Sequence, residues 1–93
     1  MSDPESPRYR IHPLCAWRRI EDRVFVLNDR DAFVTLDDPV GLVVWQVLEQ
    51  RPCSLDELVE AVAARFDVAV EEARRDLVEF LEALLAGRAI DAA

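Results

Sequence analysis

Residues 33–50 read FVTLDDPVGLVVWQVLEQ, and the Asp37-Asp38-Pro39 triplet inside this apolar stretch determines how the chain divides. Asp38 followed by Pro39 is a helix N-cap residue followed by proline at the first helical position, where the missing N–H costs nothing. A helix therefore begins at this point. The segment after it is rich in β-branched residues, so propensity alone leaves a strand open. Its length and its Asp-Pro start favour a helix near 39–50, and apolar residues almost all round predict central burial. Neither this stretch nor any other approaches the roughly 18 to 20 uninterrupted apolar residues that span a bilayer.

Upstream of the triplet the apolar period is two. The stretch PLCAWRRIEDRVFVLNDRDAFVTLD holds three short runs rich in Val, Phe and Trp, separated by Glu21-Asp22 and by Asn28-Asp29-Arg30-Asp31. Turn formers between β formers predict a three-stranded meander, with strands near 14–20, 23–28 and 32–36. Residues 1–11, with Pro4 and Pro7 among Ser, Asp and Glu, read as a mobile tail before a domain at 12–93.

Downstream, Arg51-Pro52-Cys53 ends the first helix and Ser54-Leu55-Asp56-Glu57 is a capping box. A second helix runs to about Phe66, with Leu55, Leu58, Val59, Val62 and Phe66 on one face. After Asp67-Val68-Ala69 a third helix spans about Val70 to Ala86 and ends at Gly87, read as a left-handed cap. Ile90 is expected to fold back on the core. On the third helix Ala73, Leu77, Phe80, Leu81 and Leu84 form a core stripe, while Val78 and Leu85 lie beyond it beside Arg74. That extra apolar flank either packs on the sheet or forms a groove wall that a partner fills. The fold class is α+β: a small winged-helix-like domain in which a three-stranded antiparallel sheet precedes three helices.

At 93 residues and 52% hydrophobic the chain is one domain. Its net charge of −8, from 11 basic and 19 acidic residues, argues against nucleic acid, whose binding needs concentrated positive charge. A winged-helix DNA-binding regulator is the alternative that the fold class itself raises. Residues 51–93 hold five arginines against ten acids, and Arg74-Arg75 is flanked by Glu71, Glu72 and Asp76, which helix-face ion pairing explains better than DNA contact. Cys15 and Cys53 read as reduced thiols in a chain without a secretory signal, which places it in the cytoplasm. His12 and Cys15 have a ligand-like spacing, but only Cys53 could join them and structural zinc usually takes four ligands, so no metal is expected. With a single histidine beside the tail and only two glycines, the sequence offers no catalytic constellation and no phosphate loop. No cofactor is implied.

Trp17-Arg18, Val24-Phe25-Val26-Leu27, Leu36-Asp37 with Gly41 and Trp45, SLDELVEAVAARFDV, EEARRDLVEFLEALL and a closing Gly87 with Ile90 form an ordered set that resembles the PqqD family. The resemblance runs from about Ile11 to Ile90. The ending Gly87-Arg88-Ala89-Ile90 departs from the more compact Gly-Leu-Ile or Gly-Leu-Val of that family. The resemblance implies a non-catalytic module that holds the leader segment of a ribosomally made precursor peptide and presents it to a maturation enzyme, often a radical SAM protein. It also implies that the leader adds as a fourth strand along the edge of the third, in a cleft against the third helix. Carried onto this chain, the edge is Asp31, Ala32, Phe33, Val34, Thr35 and Leu36, and the cleft wall is Arg74, Val78, Leu81 and Leu85.

The physics of an edge strand agrees with that implication: unpaired N–H and C=O groups give register, and side-chain pockets give selectivity. Arg74 would then meet a leader carboxylate. The same open edge could pair with a second copy, so monomer and homodimer are both expected states.

Overall fold

The computed structural model describes residues 7–93. The elements are, in order, β1 (Arg8–Ile11), β2 (Ala16–Ile20), β3 (Arg23–Leu27), β4 (Phe33–Leu36), α1 (Pro39–Gln50), β5 (Cys53–Ser54), α2 (Leu55–Phe66), α3 (Val70–Ala86) and β6 (Ile90–Ala92). The meander is present as the antiparallel sheet β2-β3-β4, followed by the three helices. A second sheet, β5-β1-β6, is added beside it.

That second sheet takes Arg8–Ile11 out of the segment read as a mobile tail. Arg8–Ile11 is the central strand, paired with Cys53–Ser54 on one side and Ile90–Ala92 on the other. Residues 1–6 lie outside the described residues. His12 is likewise built in: it is buried, its N–H donates to the Ala89 carbonyl at 2.9 Å, and its Nδ1 accepts from the Leu14 N–H at 3.1 Å. Both partners of β1 come from more than 40 residues away in the chain. A four-residue strand held only by such distant partners leaves almost no local signal.

Asp38 caps α1, accepting from the Val40 N–H at 3.0 Å, so the Asp-Pro start wins over β propensity. Gly41, Val44, Trp45 and Leu48 of α1 are buried, while Gln46, Glu49 and Gln50 face out. The helix is central on three sides rather than all round. Its Trp45 is fully enclosed and meets Trp17 of β2 edge to face, with ring centroids 5.6 Å apart. The inner face of the meander, Val24, Val26 and Leu36, closes over α1, and Leu58, Val59 and Val62 of α2 and Ala73, Leu77, Leu81 and Leu84 of α3 complete the core. Ile90 does fold back and is buried.

The end of α3 differs from expectation. Gly87 is in ordinary right-handed geometry (φ −80°), and the left-handed residue is Arg88 (φ 57°). The Arg88 N–H donates to the Leu85 carbonyl and the Ala89 N–H to the Leu84 carbonyl, the two bonds of a Schellman motif. Gly87 is small for a different reason: a Cβ there would stand 3.0 Å from Val34 Cγ2 of β4. The glycine serves a close approach between helix and strand.

Candidate functional site

In the meander β3 is central, so β4 has an open edge. Its register with β3 pairs Leu27 with Phe33, Val26 with Val34, Phe25 with Thr35 and Val24 with Leu36. One step further the Asn28 N–H donates to the Ala32 carbonyl at 2.9 Å. Hydrogen-bonded pairs alternate along an antiparallel ladder, so Val34 and Leu36 spend their backbone groups on β3. The N–H and C=O of Phe33 and Thr35 therefore point away from the sheet. The edge offers four backbone groups at two residues.

Two of the expected edge residues do not belong to it. Asp31 is left-handed (φ 61°), and Ala32 is used inside the turn, its N–H donating to Asn28 Oδ1 at 3.0 Å. Asn28 also accepts from the Arg30 N–H, while its Nδ2 donates to the Gly87 carbonyl at 2.8 Å. Beside it Arg88 grips Asp29 with both arms, Nε to Oδ1 and a terminal nitrogen to Oδ2, each at 2.5 Å. Those hydrogen bonds hold the Asp29 carboxyl below its usual range. Asn28 and Asp29 thus clasp the start of β4 to the end of α3.

α3 then runs alongside. Its flank toward β4 and the start of α1 is identified by two contacts: Gly87 against Val34, and the Phe80 ring against Gly41, where a Cβ would stand 2.8 Å from the ring. Both glycines of the chain are used for close approaches on this side of α3. Ala83 lies between Phe80 and Gly87 on the same flank and is exposed. We take the Phe33 and Thr35 backbone and the Phe80 and Ala83 flank as the two walls of a candidate cleft on this side of α3.

The α3 residues expected in the cleft wall are placed elsewhere. Leu81 is buried in the core at 2% exposure. Arg74 reaches Asp56 at the start of α2, 2.5 Å away, beside a cavity of about 190 Å³ lined by Tyr9, Leu55 and Ser54. Val78 and Leu85 are exposed as expected, at 39% and 37%. At about 100° per residue, however, Val78 points some 160° from Phe80, and Arg74 and Leu85 share its side. The structure brings Val34 against Gly87 and Gly41 against Phe80, with Ala83 on the same flank of α3 by helical spacing, and leaves Arg74, Val78 and Leu85 on the opposite flank. The usable sequence signal was the glycines, since a glycine inside α1 and another at the end of α3 mark close neighbours.

Among the described residues no three His, Cys, Asp or Glu side chains gather as metal ligands, and no helix is long and apolar enough to cross a membrane. Both cysteines are free, and burial pushes each thiol upward.

No curated protein matches the chain. Among solved structures it is similar to one titled "TbiB1 in Complex with the TbiA(beta) Leader Peptide", with a TM-score of 0.77, 29% identity, and coverage of 88% of this chain and 94% of that one. The family model described as coenzyme PQQ synthesis protein D matches residues 21–90. Three quarters of the sequence, including β3, β4 and all three helices, falls within that match, and the chain belongs to the PqqD family.

Proposed function

We propose that this chain is a leader-binding module: it takes an extended segment of a ribosomally made precursor peptide as an added strand on β4 and presents the rest to a maturation enzyme. The observation that carries this reading is the open pair of backbone positions, Phe33 and Thr35, beside the apolar Phe80–Ala83 flank. Strand addition at such an edge gives affinity through main-chain hydrogen bonds and selectivity through alternate side chains. The similarity to TbiB1, solved with a leader peptide, supports it. The module works by binding and contributes no catalytic group, and its enzyme is of radical SAM type, as the family resemblance implies.

A DNA-binding role finds no support in this geometry. Arg74 is tied to Asp56, and the flank of α3 beside it carries Glu71.

Backbone amide exchange with the TbiA(beta) leader as probe tests the reading. The Phe33 and Thr35 amides, open in the free chain, should slow by about tenfold or more on saturation, while Val34 and Leu36, already bonded to β3, change little. Unchanged exchange at Phe33 and Thr35 with peptide in millimolar excess would overturn it.

A further inference from the structure

The cleft has a charge character that selects among peptides, and this inference rests on the strand-addition reading above. On α3 the flank that holds Phe80, Ala83 and Gly87 also carries Asp76, with Glu72 and Glu79 at its outer border, and no basic residue. At the ends of β4 stand Asp31, Asp37 and Asp38, all exposed. None of these six carboxylates has an ion-pair partner among the described residues. The carboxylates that are paired lie elsewhere: Asp29, Glu49, Asp56, Glu57 and Asp91 take up Arg88, Arg19, Arg74, Arg8 with Arg51, and Arg10. Two arginines stand near the cleft, and each lies at one end of β4. Arg30 is in the turn before Asp31, and Arg23 starts β3 on the far side of Leu36. The wall that the added strand would face is therefore acidic; the nearest basic residue on α3, Arg75, lies just beyond its Glu72–Glu79 border and makes no ion pair with it.

The register sets which peptide residues meet that wall. In a strand added to β4, residues on the face of Val34 and Leu36 point toward α3, and their neighbours point with Phe33 and Thr35 to the outer face. With only four residues in β4, about two peptide side chains face α3 before the peptide leaves the sheet. These meet Phe80 and Ala83, so they are apolar. Residues next along the same face pass Asp76 and Glu79.

We infer that the peptide this cleft takes is a basic one: an extended segment with apolar residues at i and i+2, flanked on the helix-facing side by lysine or arginine. The unpaired carboxylates of α3 would then acquire partners only when the cleft is filled. A peptide with acidic flanks would meet like charge along the whole wall, which disfavours it without any steric clash.

Three peptides test this: the TbiA(beta) leader, and two versions of it in which the residues flanking the sheet-bound segment are all lysine or all glutamate. Affinities are measured by titration calorimetry on the whole chain, with amide exchange at Phe33 and Thr35 reporting whether each peptide occupies the edge. The lysine version should bind about fivefold or more tightly than the glutamate version at about 20 mM salt, as two or three exposed ion pairs allow. The preference should shrink at about 500 mM salt and in an Asp76→Asn, Glu79→Gln double variant, whose changes are both on an exposed helix surface. Equal or reversed affinities, with Phe33 and Thr35 still protected, would overturn the charge preference and leave strand addition standing. A lysine preference that survives the double variant would also overturn it, because the charge would then be read elsewhere. If none of the three peptides protects Phe33 and Thr35, strand addition itself fails and the inference falls with it.

Discussion

Gly87 and Arg88 exchange the roles that sequence rules assign to them. The left-handed residue that ends α3 is an arginine, which costs about 1 kcal/mol relative to glycine there. Its two-armed pairing with Asp29 offsets that cost, at a partly exposed site where such a pair contributes about 1 kcal/mol or less. Arg88→Gly should accordingly be close to neutral in urea unfolding. Arg88→Ala keeps the strained backbone and loses the pair, and should unfold about 1 kcal/mol more readily than Arg88→Gly. Gly87→Ala should destabilise by about 1 kcal/mol for a steric reason alone, since its backbone conformation suits any residue while Val34 Cγ2 and the Ala83 carbonyl stand 3.0 and 3.3 Å from the added carbon. If Gly87→Ala is as stable as the parent, the tight helix-to-strand approach is softer than the distances imply.

The helices show where a local rule holds and where placement overrides it. The α2 capping box is complete: Ser54 accepts from the Glu57 N–H, and Glu57 accepts from the Ser54 N–H at 3.1 Å. That backbone bond, with Arg51 next, lowers the Glu57 carboxyl from 4.5 to about 2. Because the folded value lies below the unfolded one, the stabilisation is present above about pH 4.5 and is lost as pH falls toward 2. Unfolding titrations should show that loss in the parent and a flatter acid limb in Glu57→Gln. On α3, the flank and not the element decides the role. Ala83→Tyr should fill the cleft and weaken leader binding by about tenfold or more with little change in stability, because Ala83 is exposed. Val78→Ala, on the opposite side, should leave affinity within about twofold. Titration of both variants with the same peptide checks the assignment, and the opposite ranking would move the site to the Arg74 flank.

For the molecule as a whole, the second sheet makes the beginning and end of the described chain interdependent: β1 holds β5 and β6, and Tyr9 and Ile11 pack against the core. Removing residues 1–11 should therefore cost about 2–4 kcal/mol, read as a lower thermal midpoint, whereas a dispensable tail would leave it unchanged. The meander, the three helices, the N-caps of α1 and α2 and the core stripes were legible in the sequence because each is written in residues close together: turn formers between β formers, Asp38-Pro39, Ser54 with Glu57, and apolar residues three and four apart. The expected edge was recognisable for the same reason, although Asp31 and Ala32 proved to be turn. What only the tertiary structure decided was everything that depends on how elements face one another. A helical period identifies the buried stripe but does not say which of its two shoulders approaches β4, and that shoulder carries Phe80, Ala83 and Gly87 rather than Arg74, Val78 and Leu85. Likewise β1 exists only because Cys53–Ser54 and Ile90–Ala92 are brought to either side of it, a pairing fixed by the closed core and by no residue within Arg8–Ile11 itself.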